Sequence, residues 1–152
     1  MEEDKDTTSP TITITAPTKT DNTAITDTTI QVTDPSGITA ANVTVDGTTT
    51  ATTSNFSCTQ TSATQVDCTI QIDDDGDLTI SATDDLSNGP ATETESNYVI
   101  DTTPPVVAIT SSPTATSSNE TSYPVSGTCT IGDGDVTVAI AGATPANQTA
   151  TC

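Results

Sequence analysis

Apolar residues recur at every second position along most of the chain, between short clusters of Asp, Asn, Ser, Gly and Pro. That period marks a strand with one buried and one wet face. Ile12 and Ile14 alternate with threonine in a first strand. Ile30 and Val32 alternate with Thr29, Gln31 and Thr33 and stop at the turn Asp34-Pro35-Ser36-Gly37. Val43 and Val45 follow, closed by Asp46-Gly47. Phe56 and Cys58 share a face, as do Val66, Cys68, Ile70 and Ile72. Leu78, Ile80 and Ala82 come after the acidic turn Asp73-Asp74-Asp75-Gly76, and Tyr98 and Ile100 after Ser87-Asn88-Gly89-Pro90. These strands, A to G, each with an apolar and a polar face, predict an all-β fold, a two-sheet antiparallel sandwich. Glycine, proline and threonine interrupt every window long enough to hold a helix.

The pattern then repeats. Asp6-Thr7-Thr8-Ser9-Pro10-Thr11-Ile12-Thr13-Ile14-Thr15 returns as Asp101-Thr102-Thr103-Pro104-Pro105-Val106-Val107-Ala108-Ile109-Thr110. The offset, about 95 residues, is the size of one small β-sandwich. Each copy opens on a proline joint; proline fixes φ and restricts the residue before it, so the joint is an extended spacer. The expected organisation is an N-terminal segment over 1–9, a sandwich over 10–100, a proline joint over 101–105 and the first half of a second sandwich over 106–152. The second copy contributes Val107 and Ile109, Val125 to Ile131, then Val136, Val138 and Ile140, then the approach to Cys152. The chain is therefore expected to be a piece of a longer array, in tandem sandwiches of which the second is incomplete.

With the strands in place, the chain resembles the bacterial immunoglobulin-like domains repeated in large surface adhesins and other extracellular repeat proteins. The matching residues are the Asp-Thr-Thr-Ser/Pro-Pro module starts and Ala82-Thr83-Asp84-Asp85-Leu86-Ser87-Asn88, similar to that family's A-T-D-x-x-G-N stretch. In the second copy, Val125-Ser126-Gly127-Thr128-Cys129-Thr130 and Gly132-Asp133-Gly134-Asp135-Val136-Thr137-Val138 also match. Ser87 stands where glycine is usual, and the last three strands of the second copy are missing. The resemblance implies an immunoglobulin-like sandwich in an extracellular setting and leaves the ligand open.

Charge narrows the partners. The net charge is −19, with Lys5 and Lys19 the only basic residues. Nucleic acids and anionic lipid surfaces are bound through clustered Lys and Arg, so neither is an expected partner. No apolar run approaches the ~20 residues that span a bilayer. Met1-Glu2-Glu3-Asp4 lacks the basic and apolar regions of a signal peptide, so an export address is expected outside this chain. Threonine, about a quarter of the residues, is β-branched and suits half-exposed strands. High charge with few aromatics is also a signature of disorder; the ordered alternation argues against it.

Four cysteines without histidine or a C-x-x-C spacing make a poor zinc site. Cys58 and Cys68 flank a turn symmetrically and share the inward register, which places them opposite each other in the D–E hairpin. Cys129 is then left for Cys152. The alternative is buried free thiols. Disulfides imply an oxidising compartment, hence the expectation of a secreted or cell-surface protein.

In such a sandwich the B–C, D–E and F–G loops gather at the end where the chain arrives. The first copy brings there Asp6, Asp34, Asp84, Asp85 and Asn88; the second has Asp101, Asp133 and Asp135, with Asp75 and Asp77 expected near that joint. Calcium takes six to eight oxygen ligands, which such a convergence suits. The resemblance agrees, because related adhesin domains often bind calcium at their joints. The plainer alternative is that aspartate favours turns through its own hydrogen bonds. Catalysis has little to draw on: no histidine for a triad, and too few aromatics to line a glycosidase cleft. An isopeptide bond would need Lys5 or Lys19, both expected in exposed connectors. Asn42, Asn55, Asn119 and Asn147 fit the N-glycosylation pattern.

The function expected is a structural stalk module in cell-surface adhesion, not an enzyme, with neighbouring modules and an unknown surface ligand as partners. The alternatives are a subunit of an extracellular filament or surface layer, completed by strand exchange, and a carbohydrate-binding accessory module, which the missing aromatic platform disfavours.

Overall fold

The computed structural model describes residues 5–114, 116–118, 125–130, 135–138 and 148–151. The chain divides into two units, Met1–Asp101 and Thr102–Cys152. In the first unit the alternation becomes eight strands: β1 (Thr11–Thr15), β2 (Thr20–Asp21), β3 (Ile25–Thr33), β4 (Val43–Val45), β5 (Thr53–Ser62), β6 (Gln65–Ile72), β7 (Gly76–Ala82) and β8 (Ala91–Ile100). One sheet runs β1-β3-β6-β5 and the other β2-β8-β7-β4. With β1, β3, β4, β5, β6, β7 and β8 as strands A to G, the sheets read A-B-E-D and G-F-C, the strand order of a constant-type immunoglobulin sandwich, with β2 added beside G.

The core forms where the inward positions of both sheets meet. Ile30 and Val32 from β3, Val66, Cys68, Ile70 and Ile72 from β6, and Leu78, Ile80 and Ala82 from β7 are all buried, with Tyr98 from β8. Ile30 pairs with Cys68 and Val32 with Val66 across the β3–β6 ladder, so each row keeps its apolar residues on one face. Ile12 and Ile14 of β1 are half-buried against this core.

Three features differ from the alternation alone. Strand β2 was not expected: it is two residues long and lies parallel to β8, so the sandwich is not purely antiparallel. After β1, Ala16-Pro17 follows; proline cannot extend a ladder, and the chain pairs next in the other sheet, where Lys19 O accepts the Val99 N–H. Second, the β3–β6 register shifts between Ile25 and Thr28, and Thr28 is buried. Its hydroxyl meets the Tyr98 hydroxyl at 3.2 Å, which satisfies both polar groups. Burial pushes the Tyr98 phenol pKa above its ordinary value, with the Thr28 bond opposing. Third, Ile38 is a core residue outside any strand, held by its N–H to Ala63 O and by Gln60 Nε2 donating to its carbonyl.

The second unit contributes β9 (Ala108–Ser111), β10 (Ser126–Thr128), β11 (Asp135–Val138) and β12 (Gln148–Thr151). They form two antiparallel pairs, β9 with β10 and β11 with β12. Val107, Ile109, Val125, Val136 and Val138 line an apolar cleft of about 430 Å³. The expected strand residues Ile131 and Ile140 lie outside the described residues. Among the described residues no helix is long and apolar enough to cross a membrane.

Candidate metal centre

Three stretches distant in sequence meet at one end of the first unit. The first is the turn after β3. Asp34 accepts the Ser36 N–H on its own side chain at 2.8 Å, while its carbonyl takes the Gly37 N–H at 3.3 Å. Aspartate followed by proline favours this turn. Gly37 has φ +120°, and a Cβ there would sit 2.9 Å from Asp85 Oδ2. Glycine therefore lets the turn approach the β7–β8 loop, where the Asp85 N–H donates to Gly37 O.

The second stretch is that loop. Asp84 Oδ1 accepts the N–H groups of Leu86 (2.9 Å) and Asn88 (2.6 Å), and Asp84 Oδ2 accepts Asn88 Nδ2 at 2.6 Å. Ser87, between them, is left-handed at φ +69°, the region that ordinarily favours glycine. The third stretch is the segment ahead of β1. Asp6 Oδ1 accepts from the Thr8 N–H and hydroxyl, and the Asp6 carbonyl accepts from Asn88 Nδ2 at 3.3 Å.

Carboxylate oxygens of Asp6, Asp34 and Asp84 come within 4.8 Å of one another. Asp34 and Asp84 are 1% and 2% exposed. Ser36 Oγ stands among all three, 2.5 Å from Asp34 Oδ1, 3.5 Å from Asp84 Oδ2 and in contact with Asp6 Oδ2. A hydroxyl has one proton to donate, so the site holds more acceptors than donors. The surplus is concrete: Asp34 Oδ2 is buried with no hydrogen-bond partner among the described residues. An unsatisfied buried polar oxygen is costly.

The hydrogen bonds also fix the charge. Ser36 first, then Thr8, hold the Asp6 carboxyl down to a pKa of about 2. Burial pushes the Asp84 carboxyl up, but donors from Asn88 and Leu86 outweigh it and leave its pKa below the ordinary value. Both groups therefore face Asp34 as anions at neutral pH.

The three carboxylates and the Ser36 hydroxyl offer oxygen ligands, while Asn88 turns its Nδ2 donor toward them. Two oxygens sharing one calcium at 2.3–2.6 Å lie at most about 5 Å apart, so this trio fits one ion. Asp34 supplies one of the three carboxylates, and its Oδ2 has no hydrogen-bond partner among the described residues.

The other expected positions fall elsewhere. Asp75 Oδ1 accepts the Ile100 N–H at 2.6 Å, next to Asp101 as expected, and Asp77 Oδ1 the Asn97 N–H at 3.0 Å, so both serve the β6–β7 turn, at the other end of β7 from the trio, as backbone acceptors. Asp101 follows β8 and pairs its N–H with Asp21 O; Asp135 opens β11, and Asp133 lies outside the described residues. Lys19 is not in a free connector: it donates to Ser96 O at 2.9 Å and pairs with Glu95. Ser36, at the focus of the trio, was missed by the sequence reading, although Asp-Pro-Ser-Gly was its signal.

Cys58 and Cys68 face each other across β5 and β6 and are joined as a disulfide. Cys129 is also disulfide-bonded; Cys152 lies outside the described residues. Asn42 Nδ2 donates to Asp85 Oδ1 and Asn55 Nδ2 to Gln71 Oε1, while Asn119 and Asn147 lie outside the described residues.

No family model, curated protein or solved structure matches this chain.

Proposed function

We propose that the protein is an extracellular spacer module whose N-terminal segment is fastened to the sandwich by a calcium ion held by Asp6, Asp34 and Asp84. One observation carries this reading: Asp34 has a buried oxygen with no hydrogen-bond partner among the described residues, on a carboxylate clustered with one from the segment ahead of β1. An ion there joins the arriving chain to two loops of the sandwich. A string of such modules then resists bending at its joints and holds a distal binding element away from the cell. The internal sequence copy and the Cys58–Cys68 disulfide support the repeat and an oxidising setting.

The test is a calcium titration of the protein followed by calorimetry. At about 100 times Kd, one site contributes roughly 2.7 kcal/mol, so melting of the first unit should rise with calcium. Asp34→Asn should abolish the rise. A melt that ignores calcium removes the ion from the reading, and protein that is inaccessible to protease on intact cells removes the surface setting.

A second reading, an assembling filament or surface-layer subunit, is favoured by the second unit alone. It exposes Val106, Val107 and Ile109 by 74%, 61% and 74%, and apolar faces of this kind mark interaction surfaces. Sedimentation decides it: concentration-dependent association lost in Val107→Asp supports assembly, and a monomer at all concentrations rejects it.

A further inference from the structure

We infer that Asn88 is a site of spontaneous deamidation, and that the modification changes the ligand count of the acidic site; its effect on calcium rests on the function proposed above, while the covalent step does not. The chain holds seven asparagines, and Asn88 is the one followed by glycine. Asn22, Asn42, Asn55, Asn97, Asn119 and Asn147 precede Thr, Val, Phe, Tyr, Glu and Gln, whose side chains crowd the backbone nitrogen that must react. Gly89 has no such side chain, is exposed and sits at φ +120°. Its N–H donates to no group among the described residues.

The step balances without an oxidant or cofactor. The Gly89 nitrogen gives its proton to water and adds to Cγ of Asn88. The ring closes as this bond forms; Nδ2 then takes a proton back from water, the Cγ–Nδ2 bond breaks, and ammonia leaves a succinimide. Water then opens that ring at either carbonyl and leaves aspartate or isoaspartate at position 88.

The consequence follows from what Asn88 does in the site. Its Nδ2 is the donor shared by Asp84 Oδ2 and the Asp6 carbonyl. A carboxylate at the same place donates to neither and faces Asp84 as a like charge. Without a cation, the segment ahead of β1 loses one of its ties to the β7–β8 loop. With a cation, the site gains a fourth carboxylate, and calcium affinity rises with ligand charge.

The experiment ages the whole folded protein in mildly alkaline buffer with chelator and maps each asparagine by peptide mass spectrometry. Conversion is expected at residue 88 ahead of the other six. An intact amide at 88, after a period in which the denatured chain has lost it, overturns the inference. In parallel, Asn88→Asp is melted in chelator and in calcium. It should melt below the parent protein in chelator and show the larger upward shift with calcium. If Asn88→Asp melts like the parent in chelator, Asn88 is no tie and the inference fails. If calcium moves neither protein while residue 88 converts and Asn88→Asp is destabilised, the calcium reading fails and the modification site stands.

Discussion

Ile12 and Ile14 of β1 and their sequence counterparts Val107 and Ile109 around β9 have the same alternation and opposite fates. The first pair is half-buried against the core; the second is 61% and 74% exposed. Both stretches lie against an antiparallel neighbour, β3 in one unit and β10 in the other. Alternation therefore specifies which face of a strand is apolar but does not bury it. Burial needs an opposing sheet, and in the first unit β7 and β8 supply Leu78, Ile80 and Tyr98 for that purpose. The difference is energetic as well as geometric, because removal of apolar area from water is the dominant favourable term.

The largest expected effect tests this directly. Ile80, fully buried, should cost about 2–5 kcal/mol when cut to alanine, whereas Ile109→Ala should stay within about 0.5 kcal/mol. Native-state hydrogen exchange reads both units separately. Equal costs would mean that β9 is covered in solution, and the comparison would collapse.

A somewhat smaller effect comes from the covalent tie. The Cys58–Cys68 bridge joins adjacent strands of the first unit at a separation of 10 residues, and cross-links of such short loops are worth about 3 kcal/mol in the chain-entropy model. Replacing both cysteines by alanine should lower protection at Ile70 and leave Thr110 unchanged. Loss at Thr110 as well would show that the two units unfold together.

The smallest effect is confined to the segment ahead of β1. The folded-state pKa of Asp6 lies below 3.8, at about 2, so the docked segment binds fewer protons than the released one. Its contribution is complete above the ordinary carboxylate range and is lost as pH falls from 3.8 through about 2. The Thr8 amide resonance should follow that titration, and Asp6→Asn should remove it. A Thr8 signal that titrates unchanged in Asp6→Asn would assign the docking to other groups.

Much of this was written in the chain. Period-2 alternation determined the strands A to G, their inward faces and the placing of Cys58 opposite Cys68, because a strand's side chains alternate whatever surrounds it. Turn chemistry located Asp34, Asp84 and Asn88 in loops. Local pattern could not announce β2, since Thr20-Asp21 has no apolar alternation and is a strand only because β8 lies beside it. It could not place Ile38, whose burial depends on Gln60 and Ala63, nor Thr28, which a register shift delivers to Tyr98. The site shows the same division. The sequence determined which residues carry carboxylates and which turns hold them. Only the tertiary structure decided that Ser36 stands among three of those carboxylates and that one oxygen of Asp34 is sealed from water without a donor among the described residues, because burial and hydrogen-bond satisfaction are properties of segments brought together, not of any one of them.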